Sequence, residues 1–118
     1  TPVSNYLDEA TLKKVAADTM VGGATLTGLL GTSAWYAPGA ACAAMVKSIV
    51  RDEKKIFTCC VCLDGEYGQK DICIGVPVTL GKKGWEKIVD YKLNENEQAA
   101  FNKSAEAVRS MNSVLSTL

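Results

Sequence analysis

The stretch Lys55-Ile56-Phe57-Thr58-Cys59-Cys60-Val61-Cys62-Leu63, then Ile72-Cys73-Ile74-Gly75-Val76-Pro77-Val78-Thr79-Leu80, then Trp85-Glu86-Lys87-Ile88-Val89, decides the fold. Each run is short and rich in β-branched, aromatic and Cys side chains, the types that suit a pleated, half-buried surface. Asp64-Gly65 closes the first run and Gly81-Lys82-Lys83-Gly84 separates the second from the third, both with turn chemistry. Three antiparallel strands in a meander are therefore predicted. Pro77 has no N–H to give to a ladder, so the middle strand must carry a bulge or turn that position outward.

Working outward, apolar residues recur at helical spacing at Leu12, Val15, Ala16, Met20, Ala24, Leu26 and Leu30, and Asp8 is placed to cap the first turn. The spacing predicts a helix over about 8–30. Gly22 and Gly23 inside it each cost ~1 kcal/mol relative to Ala, which predicts a bend or close packing at that point. Gly31 ends the helix, Thr32 to Tyr36 connect, and Pro38 suits the first turn of a second helix over 37–51. Gly39-Ala40-Ala41-Cys42-Ala43-Ala44 is small and apolar enough to predict burial against another backbone. At the far end, Asn94 and Glu97 form a capping-box pattern, and Phe101, Ala105, Val108, Met111 and Leu115 mark one apolar face running to the C-terminus. The fold class is α+β, a three-stranded antiparallel sheet packed against long helices. No repeat or linker interrupts it, so residues 1–118 read as a single domain with one core.

Composition removes several functions. Thirteen Lys+Arg balance thirteen Asp+Glu, leaving no net field for phosphate backbones or anionic lipids, so no nucleic-acid or membrane partner is expected. Apolar stretches break well short of the ~20 residues that span a bilayer. The five cysteines, Cys42, Cys59, Cys60, Cys62 and Cys73, are odd in number and three of them sit in an apolar run, which predicts reduced, buried thiols and a cytoplasmic setting. Cys59 and Cys62 have zinc-like spacing, but within a strand they point to opposite faces and no His accompanies them, so no metal is expected. The absence of His also excludes His-dependent triads and metalloprotease sites. The chain opens Thr1-Pro2-Val3 with no initiator Met, which points to a processed or excised piece.

Local motifs add little chemistry. Gly22, Gly23, Gly28 and Gly31 do not form a Gly-rich turn after a strand, so no phosphate cradle is expected. Asp52 with Glu53, and Asp64 with Glu66, sit at element ends beside lysines or glycines and read as solvated turn charge, not as paired catalytic carboxylates. Ser33 and Ser48 lack a nucleophile elbow and a His partner. One segment differs from ordinary surface or core: Gly31-Thr32-Ser33-Ala34-Trp35-Tyr36-Ala37-Pro38-Gly39 sets two large aromatics among small residues at a helix junction. It is either a packed helix corner or one wall of a pocket completed from elsewhere.

That junction and the chain beyond it resemble the lactate/malate dehydrogenase family nearly end to end. The resemblance rests on Thr32 to Gly39 leading into a helix, Ile56 to Leu63, the turn Gly65-Glu66-Tyr67-Gly68, Ile72 to Gly81, Gly84-Trp85-Glu86-Lys87-Ile88-Val89, and Leu93-Asn94-Glu95-Asn96-Glu97 entering the last helix at Phe101 to Ala105. Ala34 is the position where lactate-specific members tend to carry Thr, so the resemblance favours malate over lactate as the parent's substrate. It implies an NAD-dependent parent that moves a hydride between NADH and oxaloacetate, with a His–Asp relay and substrate-holding arginines.

On this resemblance the chain is the C-terminal portion of the substrate-binding domain, without the NAD-binding Rossmann domain. It begins just after the segment carrying the catalytic His and is expected to be inactive alone. No catalytic or metal residue is assigned within it, and no cofactor is expected for it alone. Ala34 is expected beside the substrate and Pro38 near the nicotinamide, both shaping the pocket. The parent is expected to be a dimer or tetramer, with the Ala-rich helix and the Gly22-Gly23 region as contact surfaces. The alternatives are a non-enzymatic interaction domain and the same piece of a lactate dehydrogenase.

Overall fold

The computed structural model describes residues 2–117, which form two compact units that divide between Cys42 and Ala43. The first unit holds a 3-10 turn at Val3–Asn5, helix α1 (Glu9–Leu30) and the start of helix α2 (Tyr36–Val50). Asp8 caps α1 as its position predicts: its carboxylate accepts from the Thr11 N–H at 2.9 Å and from the Thr11 hydroxyl at 2.8 Å. Those bonds, the backbone one first, hold the Asp8 carboxyl below its ordinary range. Gly31 closes the helix in the left-handed region, φ 68°, donating to the Thr27 carbonyl at 2.9 Å.

Two expectations for this unit fail in the same way. The glycines Gly22 and Gly23 lie in an unbroken helix, and a Cβ at either would meet nothing within 4 Å. No residue of α1 is buried, and Met20, one of the apolar residues at helical spacing, is 86% exposed. Residues 39–44 of α2, predicted to be buried, are exposed. Apolar spacing reports that a face needs cover, and among the described residues of this unit these faces stay exposed.

The second unit carries the core. Strands β1 (Lys55–Asp64), β2 (Lys70–Gly81) and β3 (Gly84–Ile88) pair antiparallel in the order β1-β2-β3, as the meander predicts. Ile72, Ile74, Val76, Val78 and Leu80 of β2 and Val61 and Leu63 of β1 are buried on one sheet face. Helix α3 (Glu95–Ser113) covers that face, with Ala105 buried and Phe101 and Val108 packed against the cluster. Burying an aliphatic side chain of this size stabilises by about 1.5–3 kcal/mol, so β2 is the energetic centre of the unit. Asn94 and Glu97 complete the predicted capping box, with bonds of 2.9 and 2.8 Å. Ser48, at the end of α2, is fully buried and donates to the Leu80 carbonyl at 2.9 Å, fastening that helix end to the sheet.

The exposure of the thiols on the opposite sheet face corrects the reading of the cysteines. Cys60, Cys62 and Cys73 are exposed and only Cys59 is partly buried; Cys42 is exposed on α2. All five are free thiols.

Pro77 follows neither of its two predicted options, a bulge at the proline or an outward-facing position. The β2–β3 irregularity falls between Thr79 and Leu80, away from the proline. The Val89 N–H donates to the Pro77 carbonyl at 2.8 Å, so the proline nitrogen also faces the Val89 carbonyl, where an antiparallel ladder would place its second bond. The missing donor is replaced by the Tyr67 hydroxyl, which donates to the Val89 carbonyl at 2.5 Å and accepts from the Tyr91 N–H at 3.1 Å. Tyr67 is buried, sits at φ 53°, and stacks its ring 5.4 Å from that of Phe101.

Candidate functional site

The junction at residues 31–39 is built by two helix ends. Gly31 reverses the chain after α1, and Trp35 supplies the first carbonyl of α2, accepting from the Gly39 N–H at 3.0 Å. Pro38 falls in the first turn of α2, where helix N–H groups have no intrahelical acceptor and a missing donor costs nothing. Leu30, Thr32, Ser33, Trp35 and Tyr36 line a concavity of about 200 Å³. Trp35 and Tyr36 are 71% and 92% exposed, unusual for large aromatic side chains. Ala34 is half-buried beside them and Pro38 is exposed; neither lines the concavity.

The corner offers shape and apolar surface. Tyr36 is its one titratable side chain, and it contains no carboxylate, ammonium or thiol. Among the described residues no group of three His, Cys, Asp or Glu is placed to hold a metal. A whole dinucleotide does not fit the residues present either. The glycine-bearing turns at Gly65 and at Gly81–Gly84 join strand to strand and do not open a helix, so no strand–turn–helix phosphate cradle exists among the described residues.

Several charged residues outside the corner make structural contacts. Asp52 accepts from the Lys82 N–H at 2.8 Å, and the Lys54 ammonium bridges Glu86 at 2.6 Å and Asp52 at 3.1 Å, tying the turn after α2 to the β2–β3 hairpin. The Lys82 N–H and then Lys54 hold the Asp52 carboxyl below its usual range, and Lys54 does the same for Glu86. A Cβ at Gly81 would come within 2.5 Å of the Glu86 carboxylate and 2.8 Å of that of Asp52, so a side chain there would push the carboxylates of this clasp aside. Asp64 pairs with Lys70, both exposed, as solvated turn charge predicts, while Glu53, which pairs with Lys55, is half-buried and departs from that reading. Arg109 donates to the Lys70 carbonyl at 2.9 Å. Sequence reasoning missed two anchoring residues, Ser48 and Tyr67. The second had a signal, because a proline in a central strand calls for a substitute donor to the opposing carbonyl.

Among the described residues no helix is long and apolar enough to cross a membrane. Comparison with known proteins identifies the lineage. Malate dehydrogenase of Flavobacterium frigidimaris is 63% identical over 117 residues, covering 99% of this chain and 38% of that protein. Malate dehydrogenase of Bacteroides thetaiotaomicron is 62% identical over 114 residues, covering 97% of the chain and 36% of its relative. The solved malate dehydrogenase of Salinibacter ruber superposes with a TM-score of 0.93 at 42% identity, over 99% of this chain and 38% of that structure. The chain thus spans a little over a third of the length of these relatives. The family profile for the alpha/beta C-terminal domain of lactate/malate dehydrogenases matches residues 1–115, and the chain belongs to that family.

Proposed function

We propose that the chain is the C-terminal portion of the substrate-binding domain of an NAD-dependent malate dehydrogenase. In this reading the 31–39 corner is one wall of the pocket. The carrying observation is 63% identity to a malate dehydrogenase along nearly the whole chain. It leaves the interaction-module alternative without support.

The division of labour follows from the side chains present. Interconverting malate and oxaloacetate near neutral pH requires a group that exchanges a proton and cations that grip two carboxylates. This chain has no His, and of its two arginines Arg109 is engaged by the β1–β2 connection and Arg51 follows α2 near Glu53, outside the 31–39 corner. Those roles, and the cradle for NAD, therefore fall to the remainder of the protein, and the chain alone is inactive. Ala34 stands beside the substrate and keeps the wall small; Pro38 presents a rigid apolar surface to the nicotinamide. The exposed faces of α1 and of residues 39–44 are surfaces for the rest of the protein and for a second subunit of a homodimer or homotetramer. The free thiols suit a cytoplasmic enzyme.

The test is Ala34→Thr in the protein carrying this chain. Filling the wall should lower kcat/KM for oxaloacetate about tenfold relative to pyruvate, the usual scale for a small group added to a pocket. An unchanged ratio would remove Ala34 from the pocket, and wild-type preference for pyruvate would favour the lactate reading.

A further inference from the structure

Cys62 and Cys73 are direct cross-strand partners on β1 and β2. Both are exposed on the sheet face that α3 does not cover. The kind of pair they form is set by the ladder. Pro77 turns its carbonyl toward Val89 on the β3 side, so Thr58 and Pro77, opposite each other on β1 and β2, exchange no backbone bonds. Moving along the strands two residues at a time, with no register shift before Leu63, the next pairs of this kind are Cys60 with Gly75 and Cys62 with Cys73. Non-hydrogen-bonded pairs are the close ones, with Cα atoms about 4.5 Å apart, inside the roughly 4.4–6.8 Å span of disulfides. Cys60 lies diagonal to Cys73, at about 7–8 Å by strand geometry, beyond that span.

We propose that Cys62 and Cys73 form a dithiol modification site that a hydroperoxide converts to an intrachain disulfide, reversibly. One thiolate sulfur attacks a peroxide oxygen, forming an S–O bond as the O–O bond breaks, and the departing oxygen takes a proton. The second sulfur then attacks the sulfenic sulfur, forming S–S as S–O breaks, and hydroxide leaves as water with the second proton. Two sulfurs lose one electron each and the peroxide gains two. A small thiol reverses the change by exchange. Loss of solvent around Cys62, then Cys73 itself, holds the Cys62 thiol above its ordinary range. A thiol kept neutral is a slow nucleophile, so the pair stays reduced until peroxide is abundant. The site is independent of the reading of the 31–39 corner.

The experiment treats the reduced, intact protein carrying this chain with hydrogen peroxide, then maps its peptides by mass spectrometry. The expected product is a peptide pair joined through Cys62 and Cys73, with two of the five thiols lost and both recovered with dithiothreitol. Cys62→Ser and Cys73→Ser abolish the link, while Cys60→Ser keeps it. Separate sulfinic acids on the two cysteines, a link through Cys60, or thiols that stay reduced while peroxide oxidises methionines would each overturn the proposal.

Discussion

Replacing Tyr67 with Phe tests the account of how β2 tolerates a central proline. The substitution keeps the ring that stacks on Phe101 and removes only the hydroxyl. That hydroxyl makes two bonds, donating to the Val89 carbonyl and accepting from the Tyr91 N–H. A hydrogen bond contributes about 0.5–1.5 kcal/mol net, so the cost should be about 1–3 kcal/mol. The Val89 carbonyl has no backup donor from the ladder, because the residue facing it is proline. Pro77→Ala supplies an N–H at that place, so the cost of Tyr67→Phe should shrink when both changes are combined. Urea unfolding of the four proteins in this cycle measures the coupling. Amide exchange at Tyr91, expected to speed up in Tyr67→Phe, localises it. A loss below about 0.5 kcal/mol with Tyr91 exchange unchanged would refute the reasoning, as would strict additivity with Pro77→Ala.

Two other perturbations have defined outcomes. Asn94→Ala removes the side-chain acceptor of the Glu97 N–H, while the Asn94 backbone N–H can still donate to Glu97; it should cost about 0.5–2 kcal/mol, read as a lower urea midpoint with faster exchange confined to the first turn of α3, and an unchanged midpoint would contradict it. The Asp52–Lys54–Glu86 clasp gives stability a pH dependence at both ends. The carboxyls of Asp52 and Glu86 are lowered from ordinary values of 3.8 and 4.5, so their contribution is complete above those values and disappears as acid carries the pH down through the lowered ones. Lys54 is raised from 10.5 by Glu86 first and Asp52 second, so its contribution is complete below 10.5 and is lost in stronger alkali. Thermal melts across pH should show both falls, reduced by salt because the groups are exposed, and Glu86→Gln should weaken them.

The sheet and the last helix were legible because their signals are local. Ile72, Ile74, Val76, Val78 and Leu80 alternate without a break, and strict alternation has one structural solution when a single face is buried. Asn94 and Glu97 state the start of α3 in side-chain chemistry. The connection between β1 and β2 was not legible. Asp64-Gly65 reads as a tight turn, yet the chain runs through a 3-10 turn at Glu66–Gly68 with Tyr67 left-handed. Asp71 adds a further positive φ of 54° where the register shifts. Nothing at Tyr67 or Asp71 announces that conformation, since glycine is the usual occupant and neither is glycine. The thiols and the α1 face were misread for another reason. Residue type shows which surface is apolar, while cover is a property of whatever stands opposite, and Cys60, Cys62 and Met20 are exposed. The 31–39 corner stood out by composition, but the roles proposed for Ala34 and Pro38 came from family resemblance, since two non-reactive side chains carry no chemical signature.

The most direct test of the account compares two proteins in one assay, oxaloacetate-dependent oxidation of NADH. The intact protein carrying this chain should turn over, and the polypeptide of residues 1–118 should not, because it has a pocket wall without a proton donor or a cofactor cradle. Turnover by the isolated polypeptide, or none by the intact protein, would contradict it.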